Sequence, residues 1–264
     1  RHVRLFVRPR QQVGARVDAR SLAFPSRKAR ALLAYLAVPT GRAHSRDKLA
    51  ALLWGDTAEP QARNSLRQCL FGIRRTLVAH RVRALVVDGE SVALDHATVR
   101  VAVAAFDRLV SEGSRASLSR ARALYHGPFL DGLTLREPGF EDWLMSERRT
   151  LSDRAVEALG RLIDRHVEAG AVDRAIQTGL DLVALDPLSE PAHRTVMRLH
   201  ATLGRRGAAL RQYQACADVL RRELGIEPDA ATQRLYREIL RQASTPWSLS
   251  ADGADSSAAS PGRS

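Results

Sequence analysis

The chain has 264 residues, 45% apolar and 27% charged. That is the balance of an ordinary globular protein of one large or two modest domains, and it excludes disorder of the whole chain. Its longest apolar run, Ala31 to Val38, falls well short of the roughly 18 residues that span a bilayer, and no secretion signal precedes it, so no membrane role is expected. The two cysteines, Cys69 and Cys216, lie far apart in helical patterns. They suggest neither a disulfide framework nor a zinc ligand set, and fit a reducing cytoplasm. The net charge of +12 is unevenly placed. Residues 1–100 hold 17 Arg and 2 Lys against 5 Asp and 2 Glu, whereas residues 101–264 hold 22 basic and 22 acidic residues. A genome bias toward Arg explains why 39 of the 41 basic residues are Arg, but not why the excess is confined to one segment. That confinement points to a polyanion partner for the first hundred residues and a different task for the rest.

In chain order, Val3-Arg4-Leu5-Phe6-Val7-Arg8 is roughly alternating and β-branched, as are the pieces around Val13 to Val17 and Ser21 to Phe24, so short strands are predicted. Helical periodicity begins after Pro25. Ser26 can cap a helix whose stripe is Ala29, Leu32, Leu33, Leu36 and Ala37, ended by Pro39 and Gly41. Ser45 can cap a second, short helix, Arg46 to Trp54, with Leu49, Leu52 and Leu53 in phase. A third helix, Ala62 to Leu77, puts Leu66, Leu70, Ile73 and Leu77 on one face and Asn64, Arg67, Gln68, Phe71 and Arg75 on the other. Two apolar runs, Ala84 to Val87 and Ser91 to Leu94, then flank Asp88-Gly89-Glu90 and predict a β-hairpin. From about Val101 to Ala243 only helical patterns follow, broken at Gly113, Gly127-Pro128, Pro138-Gly139, Gly170, Asp186-Pro187, Gly204 and Gly225. The Ser, Ala, Gly and Asp-rich residues from Ser244 read as a flexible tail or linker.

The helical part repeats itself. Ala158 to Leu185 compare with Ala192 to Val219 at an offset of 34, aligning Gly170 with Gly204, Ala175 with Ala209, Ile176 with Leu210 and Leu182 with Cys216. This is the tetratricopeptide period, in which a small residue on the second helix of each pair allows close approach and each pair buries its stripe only against neighbours.

Three helices and a hairpin, with a polar and basic third helix, make the layout of a winged helix-turn-helix. In that layout the third helix enters the major groove, and long side chains on it with hydrogen-bonding ends read base edges: Arg63, Asn64, Arg67 and Gln68. Arg pairs with guanine O6 and N7, and Asn or Gln with adenine N6 and N7. Phosphate contacts are expected from Arg46 and Lys48 at the start of helix two, Arg74 and Arg75 further along helix three, and Arg81 and Arg83 at the base of the wing. The wing tip is acidic and would be repelled by phosphates.

The strings RKARALLAYLAVPTGRAHSRDKLAALLWGD and ARNSLRQCLFGIRRTL resemble the OmpR-type winged helix at the start of the Streptomyces antibiotic regulatory protein family. LYHGPFLDGL, FEDWLMSERRTL and the stretch from DPLSEPAHRTV to LYREIL resemble the bacterial transcriptional activator domain, a tetratricopeptide-like module. The resemblance covers about residues 3 to 242. It implies a mainly α fold with a small β component: a winged-helix domain over 1–99, an activator domain over 100–243 and a tail over 244–264. It further implies a transcriptional activator of the bacterial cytoplasm and nucleoid, whose protomers bind double-stranded DNA side by side on direct repeats and recruit RNA polymerase. Matched by position, Ala62 to Leu77 is the recognition helix, Arg46 to Trp54 the positioning helix and Ala84 to Leu94 the wing. Trp143, Glu147 and Arg148 complete the activator domain's Trp-x-x-x-Glu-Arg stretch, with Trp143 read as core packing. Asp186-Pro187, Glu190 and His193 match its linker and helix start and read as structural. The chain opens on Arg1 rather than Met, and larger relatives continue past such a tail, so an excerpt of a longer protein is one expectation.

An enzyme is not expected. No Gly-rich loop precedes Lys28 or Lys48, no His-Glu-x-x-His occurs, His193 and His200 stand seven apart without a third ligand, and Glu141 and Asp142 point in different directions. Neither a cofactor nor a metal site is expected. The alternative reading is a tetratricopeptide-like interaction scaffold with a nonspecific basic adaptor.

Overall fold

The computed structural model describes residues 3–8, 11–17, 20–24, 26–38, 41–125 and 127–241, with side chains from Leu22 onward. The expected tail lies outside the described residues. Three antiparallel strands open the chain, β1 (Val3–Arg8), β2 (Gln11–Val17) and β3 (Arg20–Leu22), at the three places where alternation predicts them. Helix α1 (Arg27–Ala37) begins where the Ser26 hydroxyl accepts from the Ala29 N–H at 3.0 Å, satisfying one of the donors a helix start leaves bare. Leu32 and Leu36 on α1 are wholly buried. Strand β4 (His44–Ser45) leads directly into α2 (Arg46–Leu53), capped by Ser45, and α3 (Glu59–Ala79) starts with Pro60 in its first turn. The hairpin is β5 (Leu85–Asp88) and β6 (Ser91–Leu94). Its two-residue loop places Gly89 at φ 52 and leaves Glu90 in the ordinary range, the sign pattern of a type II′ turn.

Two strands escape the sequence pattern. Strand β4 is two residues long and pairs with β6, giving the order β4-β6-β5. Strand β7 (Val99–Val101) runs parallel to β1 and completes the order β3-β2-β1-β7. Both are too short for alternation to register, and both take their partners from distant chain.

Val101 is the last residue of β7 and also the N-cap of α4 (Ala102–Glu112), so no linker separates the basic segment from the helices after it. Helices α5 (Arg115–Leu124) and α6 (Pro138–Glu168) follow. One hydrophobic core runs from Leu22 through α1, α2, α3 and the hairpin to Phe129, Leu130, Phe140, Leu144 and Leu151. The compact units are accordingly residues 1–168 and 169–264. The sequence boundary at 99 and 100 marks a change of pattern inside the first unit.

The second unit holds α7 (Val172–Leu185), α8 (Glu190–Thr202), α9 (Arg206–Leu224) and α10 (Ala230–Arg241). Helix α8 packs on α7 and α9, and α10 on α8 and α9. The aligned glycines Gly170 and Gly204 share φ 67, and the aligned alanines Ala175 and Ala209 are both fully buried. A Cβ is disfavoured at that φ, and a side chain beyond Cβ would hold the second helix of each pair away. No helix among the described residues is long and apolar enough to cross a membrane.

Candidate nucleic-acid interface

Helix α3 divides cleanly into two faces. Leu66, Leu70, Ile73 and Leu77 are between 0% and 6% exposed, whereas Arg63, Asn64, Arg67, Gln68, Phe71, Arg74 and Arg75 all face solvent. The buried stripe fixes the helix on α1 and α2 and turns the other face outward. Its C-terminus is closed by a Schellman arrangement, in which the Arg81 N–H donates to Val78 O and the Val82 N–H to Leu77 O. Arg81 takes the left-handed position, φ 58, that glycine usually fills. It and Arg83 leave α3 exposed at the base of the wing.

The outward side chains are already organised. Arg63 donates to Asp47 of α2 at 2.9 Å and to Glu59 at 2.7 Å, so its guanidinium fixes the start of α3 against α2. These carboxylates hold the Arg63 guanidinium above its usual pKa, the Asp47 hydrogen bond first. Arg67 Nη2 donates to Asn64 Oδ1 at 2.6 Å, one turn back. That bond pre-orients the pair and leaves the Asn64 amide N–H groups as donors. The structure therefore brings Asn64, Arg67 and Gln68 together on one turn, and sets Arg63 apart in an ion-pair bridge.

The phosphate candidates also separate. The Arg46 N–H donates to Glu90 O at 2.8 Å and its Nε to Gly89 O at 3.1 Å, so this half-buried residue ties the wing turn to the start of α2. Lys48 is exposed, its N–H accepted by the Ser45 cap at 3.3 Å. Arg74 and Arg75 are exposed on the last turns of α3. Asp88 and Glu90 at the wing tip are exposed too, leaving the acidic tip the sequence shows. In β4, His44 is 5% exposed, packs on Tyr35 with ring centroids 4.9 Å apart and planes tilted by 56°, and has an Nε2 with no partner among the described residues. Burial pushes its imidazole below the usual pKa, and the charges of Lys48 and Arg42 push the same way.

Sequence reasoning missed the residues that hold this platform. Glu137, just before α6 and 11% exposed, accepts from Lys28 Nζ of α1 at 2.6 Å and from the Gly55 N–H of the α2–α3 turn at 3.1 Å. Lys28 also lies over the Trp54 ring, 4.9 Å from its centroid. The one available signal was rarity, since Lys28 is one of two lysines in an Arg-rich chain. Trp143 packs as the resemblance implies, with ring centroids 4.9 Å from Tyr35, 5.3 Å from Phe140 and 6.1 Å from Phe129. The Glu147 carboxyl is pushed up by burial, opposed by Arg154 and a bond from the Trp143 side chain. Arg148 donates to the carbonyls of Phe129 and Leu130 at 2.8 and 3.0 Å. It thereby fixes a loop in which buried Leu130 has φ 54, a conformation rare for a branched residue.

In the second unit, His193 uses both ring nitrogens, toward Pro187 O at 3.0 Å and Gln212 Nε2 at 2.7 Å. Glu190 accepts from the Asp229 N–H at 2.9 Å. Both are structural.

A winged helix joined without a linker to further helices, with a basic and outward third helix, has the layout of the helix-turn-helix class. The chain belongs to the family described as the bacterial transcriptional activator domain, whose family model matches residues 91–240. It is similar to Regulatory protein AfsR of Streptomyces coelicolor, 29% identical over 92% of this chain and 25% of that one. It is also similar to Transcriptional regulator RedD of the same organism, 32% identical over 81% of this chain and 64% of that one. The chain thus spans a quarter of one curated relative and just under two thirds of the other. Among solved structures it is similar in fold to Mycobacterium tuberculosis EmbR in complex with a low affinity phosphopeptide, with TM-score 0.68, 21% identity, and coverage of 92% of this chain and 66% of that one. Both relatives are named as regulators.

Proposed function

We propose that this chain is a sequence-specific activator of transcription. Residues 1–99 bind double-stranded DNA at direct repeats as side-by-side protomers, and residues 100–243 form the activator domain that recruits RNA polymerase. The observation that carries this reading is the outward face of α3, where Asn64, Arg67 and Gln68 stand exposed on one turn with Arg74 and Arg75 beyond them. In the groove, Arg67 donates to guanine while Asn64 or Gln68 pairs with adenine. Lys48, Arg74, Arg75, Arg81 and Arg83 neutralise phosphates on either side. Arg46 spends its Nε on the wing turn and keeps its Nη groups for a phosphate. Arg63 reaches a base only by exchanging a carboxylate for it, so its main part is to set the angle of α3. Residues 244–264 serve as a tail or linker.

The test is binding of the whole chain to a DNA site selected from a random pool, and to a scrambled duplex, across a salt series. The expected result is a clear preference for the selected site and affinity that falls log-linearly with salt. Arg67→Ala costs roughly 1–3 kcal/mol on the selected site and relaxes choice at one position, whereas Lys48→Ala weakens all DNA alike and flattens the salt slope by about one unit. A steep slope without preference favours the scaffold with a basic adaptor. Absence of binding at moderate salt removes DNA as the partner.

A further inference from the structure

The outward face of α3 contains one residue that neither phosphate binding nor hydrogen-bonded base reading explains. Phe71 is 66% exposed, the most exposed large apolar side chain among the described residues, and it sits in the middle of the basic stripe. It lies two turns after Asn64, one turn after Arg67 and Gln68, and one turn before Arg74 and Arg75, so all six share one side of the helix. The four large apolar residues of α3 that serve the core are all on the opposite side. Its ring stacks on no other aromatic ring among the described residues.

An exposed phenyl group in the middle of a charged face is apolar area that a partner gains by covering. An apolar protein surface fits poorly here, because docking on Phe71 would strip water from the neighbouring guanidinium groups without pairing them. The partner must be apolar at its centre and anionic at its margins. The major groove has that character at a thymine, whose C5-methyl projects into the groove between two rows of phosphates.

We propose that Phe71 is a specificity-determining residue that packs on a thymine C5-methyl group, next to the bases read by Arg67 and Gln68. The inference rests on the DNA-binding reading of α3 and adds a third mode of readout to it.

Deoxyuridine differs from thymidine only by that methyl, which makes the test direct. In the site selected by the whole wild-type chain, each thymine is replaced by uracil in turn, and affinities of the wild type, Phe71→Ala and Phe71→Leu are measured. The expected result is a loss of about fourfold for wild type at one thymine in each repeat, the size of one buried methyl group. Phe71→Ala binds the unmodified site more weakly and is indifferent to uracil at that position only, while Phe71→Leu keeps part of the sensitivity. A wild type insensitive at every thymine, or a Phe71→Ala variant as sensitive as wild type, overturns the assignment and leaves DNA reading by α3 intact. Equal loss by Phe71→Ala on selected and scrambled DNA overturns it as well. If the random pool yields no preferred sequence, the DNA reading fails and this assignment fails with it. Because Phe71 lies outside the core, both variants should melt with wild type, and the melting curves check that the comparison is of binding alone.

Discussion

The two compact units are held together by different means. In residues 1–168, polar side chains reach across long stretches of sequence: Glu137 to Lys28 and Gly55, and Arg46 to the wing turn. Large side chains from six or more elements meet in one core. In the second unit, helices pack on helices close to them in sequence, and the aligned Ala175 and Ala209 are fully buried between them. Its longest polar tie among the described residues joins the start of α10 to α8, where the Asp229 N–H donates to the Glu190 carboxylate at 2.9 Å and Arg194 donates to Asp229 at 2.9 Å and to Thr232 Oγ1 at 2.8 Å. The lesson concerns what each architecture is suited to do. A repeat array tolerates local opening because each helix depends only on its neighbours. The first unit has one core fed by distant parts of the chain, which suits holding Asn64, Arg67 and Gln68 in a fixed arrangement.

The largest expected effects test that contrast. Phe140 is wholly buried and touches the Trp143 ring, so Phe140→Ala removes a ring from the centre of the first unit and should cost about 3–5 kcal/mol. Denaturation followed by Trp fluorescence in a Trp247→Phe background, which reports Trp54 and Trp143, should show that transition shifted to lower denaturant, with the far-ultraviolet signal of the second unit's helices lagging behind. Coincident loss of both signals would mean that the two units do not unfold separately. Glu137→Ala should cost less, about 2–3 kcal/mol, by leaving the partly buried Lys28 ammonium and the Gly55 N–H without their acceptor. It should also weaken DNA binding beyond the loss of fold, since Gly55 lies in the turn that aims α3. Equal affinity at equal folded fraction would show that Glu137 supports stability only.

The same contrast explains how much was legible in the sequence. The helices of the second unit were readable because a 3.6-residue stripe and a recurring Gly and Ala are local signals, and local neighbours are what that unit packs on. Helices α1 to α3 and the hairpin were readable for the same reason, through the Ser26 and Ser45 caps and the Asp88-Gly89 step. The outward face of α3 followed from periodicity alone, including the exposure of Phe71. Strands β4 and β7 were not legible, because two or three residues carry no pattern and their pairing to β6 and β1 is long-range. Nor was the extent of the first packing unit. The change from mixed to helical pattern at Val101 is a change of local signal, whereas the core crosses it through Phe129, Phe140 and Trp143. Glu137 and Arg148 were invisible as pins for the same reason, and Arg63 read as a base contact because its carboxylate partners, Asp47 sixteen residues away and Glu59 one turn back, are evident only in the folded chain.

A smaller effect separates the polar tie at the start of α10 from the helix packing of the second unit. Asp229 caps α10 by accepting from the Thr232 N–H at 2.6 Å, and this bond, with further help from the Thr232 hydroxyl and Arg194, holds its carboxyl below the usual pKa. Asp229→Ala should cost about 1 kcal/mol, as lost caps do, and hydrogen exchange should quicken in α10 while α7 and α9 keep their protection. Uniform quickening across all four helices would contradict the neighbour-by-neighbour description.

The smallest effect belongs to His44, and its sign follows from where the proton is taken up. In the folded chain the imidazole is buried beside Tyr35 with Lys48 and Arg42 nearby, and its pKa lies below 6.5. In the unfolded chain it protonates near 6.5. As pH falls from 7 toward 5, the unfolded state therefore binds the proton first, and the first unit loses stability over that window. His44→Gln removes the titrating group while keeping a polar side chain, so its stability should vary less with pH than wild type between those values, in denaturant melts followed by Trp143 fluorescence. Since the second unit holds its own lowered histidine, His200, His200→Gln is the matched control, and it should leave the pH dependence of the Trp143 transition unchanged. A flattened profile in the control and not in His44→Gln would move the pH sensitivity out of the first unit altogether.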